Sequence, residues 1–129
     1  MKTSISVIGG GSWATALIKI LSSSQEHITW WVRSEDTATF IQNYYHNPNY
    51  LSDVIIDSNK VTVTTDMKQA IAASQTIILA VPSAFLKAAL LSITPQDFNG
   101  KTVFSAIKGI VPDDLLIVGD FLHQKFGIP

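Results

Sequence analysis

Cysteine is absent from this chain. That excludes disulfide bonds, thiolate chemistry and cysteine-ligated zinc, and it suits a reducing, cytoplasmic compartment, the expected location. Charge is sparse as well: 15% of the residues are charged and the net charge is −1. Without a basic excess there is no field to attract nucleic acid and no cationic face for a membrane surface. Long apolar runs are missing too. The longest, Thr76 to Leu91, is interrupted by Pro82 and Lys87, too early to cross a bilayer. No export signal is expected, because Gly9, Gly10 and Gly11 fall where its apolar core would lie. A soluble protein is expected. The three histidines, His27, His46 and His123, lie far from one another and from any carboxylate cluster, so no metal site is expected. No nucleophile–base pair stands out; His46 alone, in a long loop, is kept as an open candidate.

What remains is a composition rich in core formers, 47% hydrophobic. Residues 1–129 are enough for one domain with its own core. So low a charge density also implies apolar surface that another domain normally covers.

The most informative stretch is Ile5 to Leu17, where a β-branched run feeds Gly9, Gly10 and Gly11 and then a helical pattern. Gly9, Gly11 and Ala14 occupy the three small positions of the G-x-G-x-x-G/A dinucleotide fingerprint. The first permits the tight turn, the second lets backbone approach a pyrophosphate, and the third lets the helix pack against the strand. The free N–H groups and dipole at the start of that helix favour phosphate charge. Alone, the fingerprint is weak. Here the required strand precedes it and Trp13, Ala16, Leu17, Ile20 and Leu21 follow at helical spacing.

Further along, His27 to Val32 reads as a second strand. Ser34 reads as the N-cap of a helix through about residue 43, with Glu35 and Asp36 in its first turn. From Tyr44 to Lys60 periodicity is lost, and Asn47-Pro48-Asn49 marks a turn; a loop this long suggests function. Val61 to Thr64 is a third strand, and Thr65 or Asp66 caps a short helix carrying Met67, Ala70 and Ile71. Thr76 to Val81 is a continuous apolar run, the pattern of a strand buried on both faces. Phe85, Leu86, Ala89 and Leu90 follow at helical spacing, and Lys101 to Ala106 is a fifth strand. A last helix is expected from Pro112, with Leu115, Val118, Leu122 and Phe126 as its stripe and Gly127 as its cap. The alternation predicts an α/β, doubly wound parallel sheet of about five strands, a Rossmann-type dinucleotide-binding domain. Ligands of such sheets sit at the C-terminal strand ends.

Those ends hold the candidate residues. Arg33 follows the second strand, where an NAD site has an acid for the ribose 2′-hydroxyl and an NADP site an arginine for the 2′-phosphate. NADP, or both NADP and NAD, is therefore expected, with NADPH favoured. Pro82 ends the fourth strand and shapes the groove wall. Lys108, before Gly109 at the end of the fifth strand, is placed to face a phosphate or carboxylate; on position alone a solvated loop lysine fits equally well. Trp30 and Trp31 point to opposite faces and read as core.

Taken together, Gly9 to Leu17, Trp31-Val32-Arg33, Asn49-Tyr50-Leu51, Ala80 to Ser83 and Ala106 to Ile110 closely resemble the bacterial NAD(P)-dependent glycerol-3-phosphate dehydrogenases. The order and spacing agree along the whole chain, which looks like the amino-terminal half of that family. The Ser12-Trp13 form of the glycine motif, joined to Tyr50-Leu51 and Lys108-Gly109, makes the resemblance specific. It implies reduction of dihydroxyacetone phosphate to sn-glycerol 3-phosphate with NAD(P)H, feeding phospholipid synthesis. By the same resemblance Ser12 and Trp13 contact the pyrophosphate side, Arg33 sits at the adenosine ribose, and Tyr50 lines the cofactor loop. Lys108 stands where nicotinamide and substrate meet, holding the substrate and polarising its carbonyl.

The chain departs from the pattern at Ala14, where the family usually has glycine, and at Ser52 and Ile107, where it often has proline and a small polar residue. It also ends where the family's helical substrate domain, with the main catalytic lysine, would begin. The expectation is a fragment that binds dinucleotide with little or no turnover, its catalytic set incomplete without that domain. A stand-alone, non-catalytic dinucleotide-binding or redox-sensing module remains an alternative reading, as does the first domain of a ketopantoate or 6-phosphogluconate type of reductase.

Overall fold

The computed structural model describes residues 4–22, 27–47, 55–56, 59–81, 83–105, 110–111 and 116–117. Five parallel strands form the central sheet in the order β3-β2-β1-β4-β5. They are β1 (Ile5–Ile8), β2 (Ile28–Trp31), β3 (Val61–Thr64), β4 (Thr76–Leu79) and β5 (Thr102–Ser105). The helices are α1 (Ser12–Ser22), α2 (Glu35–Tyr44), α3 (Met67–Ala72) and α4 (Ser83–Ala89), with a 3-10 helix over Pro95–Phe98. The expected doubly wound arrangement is therefore present. The 3-10 turn has no counterpart in the sequence reading.

The two strands that carry the site are buried on both faces, and alternate side chains feed two cores. Ile5 and Val7 of β1 pack with Ala14 and Ile18 of α1, and with Ala38 and Ile41 of α2. Ile8 of β1 packs on the opposite face with Ala70 and Ile71 of α3 and Leu86 of α4. Trp30 joins the first core and Trp31 the second, as the period-two geometry of a strand requires. Both tryptophans are buried, consistent with their reading as core.

Local signals set the helix starts. The Ser34 hydroxyl accepts from the Thr37 N–H at 3.4 Å, and an Asp66 carboxylate oxygen accepts from the Gln69 N–H at 3.1 Å. Each cap satisfies one of the orphan donors of a first turn. α2 closes on Tyr45, which takes the left-handed conformation (φ 64°) and donates its N–H to Ile41.

One expectation fails. Leu116 and Ile117, expected inside the last helix, instead form a strand: β7 (Leu116–Ile117) pairs antiparallel with β6 (Ile110–Val111), which precedes the expected helix start at Pro112. Leu115, Val118, Leu122, Phe126 and Gly127, the proposed stripe and cap, lie outside the described residues. The apolar spacing suited a helix, but Ile117 is β-branched and loses χ1 freedom there. Periodicity alone does not separate helix from strand over so short a run.

Candidate functional site

The chain order reverses between β1 and β4, which pair in parallel from Ile5 opposite Thr76 to Ile8 opposite Leu79. Beyond those residues the strands are still tied together. Ala80 donates its N–H to Ile8 at 2.8 Å, and Gly9 donates its N–H to Trp31 at 3.0 Å. The crevice outside the carboxyl ends of the strands, at this reversal, is where an open α/β sheet binds ligand.

The glycine turn opens directly into it. Gly9 has φ 140°, and a Cβ there would stand 2.7 Å from the Ala80 carbonyl oxygen. Only glycine fits such a position. Gly11 is different: a Cβ built on it meets nothing within 4 Å. The protein's own packing does not demand glycine at Gly11. Ala14, in contrast, is fully buried under α1, as the third fingerprint position requires.

The carbonyls of the turn are held from behind. The Trp30 indole N–H donates to the Gly9 oxygen at 2.6 Å, and the Asn47 amide donates to the Gly10 oxygen at 2.9 Å. Thr15 donates both its hydroxyl, at 2.8 Å, and its backbone N–H, at 3.0 Å, to the Gly11 oxygen. Asn47 also donates to the Thr15 hydroxyl at 3.0 Å. Trp30, Thr15 and Asn47 are all fully buried. Sequence reading missed all three as site residues. The signals were slight: Thr15 stands four residues after Gly11, and Asn47 sits in a turn dipeptide with Pro48.

Of the predicted site residues, Gly9, Gly11, Ser12, Trp13 and Arg33 come together around the ends of β1 and β2. Ser12 is the first residue of α1. Trp13 follows it, 57% exposed, a large apolar ring left at the mouth of the turn. Arg33 is exposed just past Val32. The nearby acid, Glu35, accepts a short hydrogen bond from the Thr65 hydroxyl at the end of β3. Tyr50, Pro82 and Lys108 lie outside the described residues.

His27 Nε2 lies 3.0 Å from the Thr62 hydroxyl, a strand-to-strand contact away from the turn. The His46 and Phe40 rings pack in a T-shaped arrangement, centroids 5.1 Å apart. His123 lies outside the described residues. Among the described residues no cluster of three or more His, Cys, Asp or Glu suited to a metal ion is present.

Residues 4–129 match the family described as NAD-dependent glycerol-3-phosphate dehydrogenase N-terminus. Over 127 residues the chain is 36% identical to glycerol-3-phosphate dehydrogenase (NAD(P)+) 2 of Salinibacter ruber, covering 98% of this chain and 37% of that protein. Over 124 residues it is 34% identical to the Bacillus licheniformis glycerol-3-phosphate dehydrogenase (NAD(P)+), covering 95% and 35%. The crystal structure of glycerol-3-phosphate dehydrogenase from Coxiella burnetii superposes with a TM-score of 0.86 at 21% identity, covering 98% of this chain and 38% of that one. That last likeness shows the fold. The chain spans a little over a third of the length of these relatives.

Proposed function

The chain belongs to the family of NAD-dependent glycerol-3-phosphate dehydrogenase N-termini, and on that premise we propose that it is the cofactor-binding domain of an NAD(P)-dependent oxidoreductase. The reaction is reversible hydride exchange between NAD(P)H and dihydroxyacetone phosphate, giving sn-glycerol 3-phosphate for glycerophospholipid synthesis. The observation that carries this reading is the open space over Gly11, at a turn whose carbonyls are tied back into the protein. A dinucleotide pyrophosphate fits such a cradle, and α1 offers it free N–H groups.

The bound cofactor supplies the hydride. The backbone at Gly9, Gly11 and Ser12 receives its pyrophosphate, with Trp13 alongside. Arg33 faces the adenosine ribose, and Tyr50 and Pro82 line the groove. Lys108 holds the phosphorylated substrate and places a fixed positive charge near the carbonyl oxygen, where negative charge develops as hydride arrives. The principal catalytic lysine belongs to a helical substrate domain, and turnover requires it. NADPH is the favoured cofactor. Arg33 suits a 2′-phosphate, and the Glu35 carboxylate is already engaged by Thr65. Among the described residues no helix is long and apolar enough to cross a membrane; a cytoplasmic location is part of the proposal.

The test is titration of the purified chain with NADPH and NADH, followed by quenching of tryptophan fluorescence, with and without dihydroxyacetone phosphate. Saturable binding of dinucleotide without oxidation is expected. Absence of binding overturns the cofactor-domain reading, and substrate-dependent oxidation of NADPH overturns the incomplete catalytic set.

A further inference from the structure

Every carbonyl of Gly9-Gly10-Gly11 accepts from a buried side-chain donor, and the three donors come from three different places in the chain. Trp30 lies on β2, Thr15 on α1, and Asn47 just after α2. A trans peptide holds its N–H and C=O on opposite sides, and no cis peptide is present in the described structure. Fixing the oxygens of Gly9, Gly10 and Gly11 toward the interior therefore turns the N–H groups of Gly10, Gly11 and Ser12 the other way, toward the crevice.

We propose that Asn47, Thr15 and Trp30 form a carbonyl clamp that positions the glycine turn for a pyrophosphate. The inference rests on the dinucleotide-site reading above. The three are positioning residues: their bonds go to the turn itself, and they act through the N–H groups that it presents. A threonine hydroxyl bonded to the carbonyl four residues back is by itself an ordinary helix feature. What departs from it is the chain of bonds. Thr15 gives its one hydroxyl proton to Gly11 and accepts from Asn47, whose same amide nitrogen also holds Gly10. Both side chains are fully buried, so the bonds form in a low dielectric and are costly to break. Donors fixed before the anion arrives need no reorganisation when it binds. Asn47 stands 37 residues from Gly10 in sequence and three before Tyr50. It ties the stretch proposed to line the cofactor loop to the phosphate turn.

The clamp acts on a pyrophosphate and leaves a nucleoside unaffected, which separates it from a role in stability alone. The experiment measures binding of ADP and of adenosine by ligand-observed NMR in the unsubstituted protein, Thr15→Val, Thr15→Ser and Asn47→Leu. Near-ultraviolet circular dichroism checks that each is folded. Thr15→Val keeps the shape and removes the hydroxyl; Thr15→Ser keeps the hydroxyl. Thr15→Val and Asn47→Leu are expected to weaken ADP about three- to tenfold and leave adenosine within about twofold, the scale of one bond's worth of lost positioning although each substitution removes two side-chain hydrogen bonds. Thr15→Ser is expected to bind ADP like the unsubstituted protein. Equal losses for ADP and adenosine, unchanged ADP binding, or a Thr15→Ser that behaves like Thr15→Val would each overturn the clamp alone. If the unsubstituted protein binds neither probe, the dinucleotide-site reading fails and the clamp falls with it.

Discussion

Gly9 and Ala80 meet where β1 and β4 end, so closely that a Cβ on Gly9 would lie 2.7 Å from the Ala80 carbonyl oxygen. Two residues along, Gly11 has nothing within 4 Å of the same construction. The two glycines of one motif thus serve different ends. Gly9 is required by the fold, and Gly11 borders open space, the room proposed for the pyrophosphate.

Substituting each by alanine separates those roles. In Gly9→Ala the new methyl meets backbone, which has no rotamer to yield, and φ 140° is strained for any L residue. A loss of at least about 2 kcal/mol is expected in urea unfolding. Gly11→Ala is expected to change stability by less than about 1 kcal/mol while weakening NADH more than about tenfold, the cost of a methyl in the pyrophosphate's place. A Gly11→Ala protein that binds NADH normally would remove the reason for glycine there.

Cofactor choice rests on Arg33. Its exposed guanidinium at the end of β2 is screened by solvent, so a moderate effect is expected. Arg33→Ala should weaken NADPH about five- to tenfold and leave NADH within about twofold. An NADPH to NADH affinity ratio that stays the same in the variant would show that Arg33 does not read the 2′-phosphate.

At the other end of the sheet, Ser6 joins β1 to α3. Its Oγ lies 2.6 Å from the Ala70 carbonyl oxygen and 2.8 Å from the Ser74 hydroxyl. With one proton it donates to the carbonyl and accepts from Ser74. Ser6 is fully buried and Ser74 nearly so, and the Ala70 carbonyl is one of the orphans at the end of α3. Ser6→Ala leaves two buried polar groups short of a partner, at a cost of about 1–3 kcal/mol. Thermal unfolding without a lowered midpoint would contradict that.

Among the described residues, one carboxyl pKa is clearly displaced, that of Asp97 in the 3-10 helix. The Thr94 N–H, donating at 2.8 Å, holds the carboxyl below its ordinary value of 3.8, helped by the Thr94 hydroxyl and by Lys68 at 3.7 Å. A carboxyl with a depressed pKa stabilises the fold above its unfolded value and loses that contribution as pH falls through the folded one. The stability difference between the protein and Asp97→Asn should be flat above about pH 5 and shrink below about pH 4. Because Asp97 remains in contact with water, its size should stay under about 1 kcal/mol. Urea unfolding at a series of pH values reads it, and a difference that grows on acidification would reverse the assignment.

Much of the fold was legible in local chemistry. Ser34 was readable as a cap, and the second cap as Thr65 or Asp66, of which the structure uses Asp66, because a short side-chain oxygen before a helical pattern satisfies an exposed N–H. The apolar run from Thr76 was readable as a parallel strand, with Ile77 and Leu79 buried on one face and Thr76 and Ile78 half-buried on the other. The turn at Gly9 and Gly11 was visible from spacing alone. Leu116–Ile117, which pairs with Ile110–Val111, was misread as helix, since over two residues a strand leaves no period to detect.

The sequence by itself determined the order of the five sheet strands and the α-helices between them, and the place of the glycine turn, because backbone sterics and capping act over a few neighbouring residues. Only the tertiary structure decided which of the two glycines the protein itself needs, and that Trp30, Thr15 and Asn47 hold the turn from behind. Asn47 reaches Gly10 across 37 residues. No local pattern records such a contact, since it exists only once α2 has packed on the sheet and returned the chain to the end of β1.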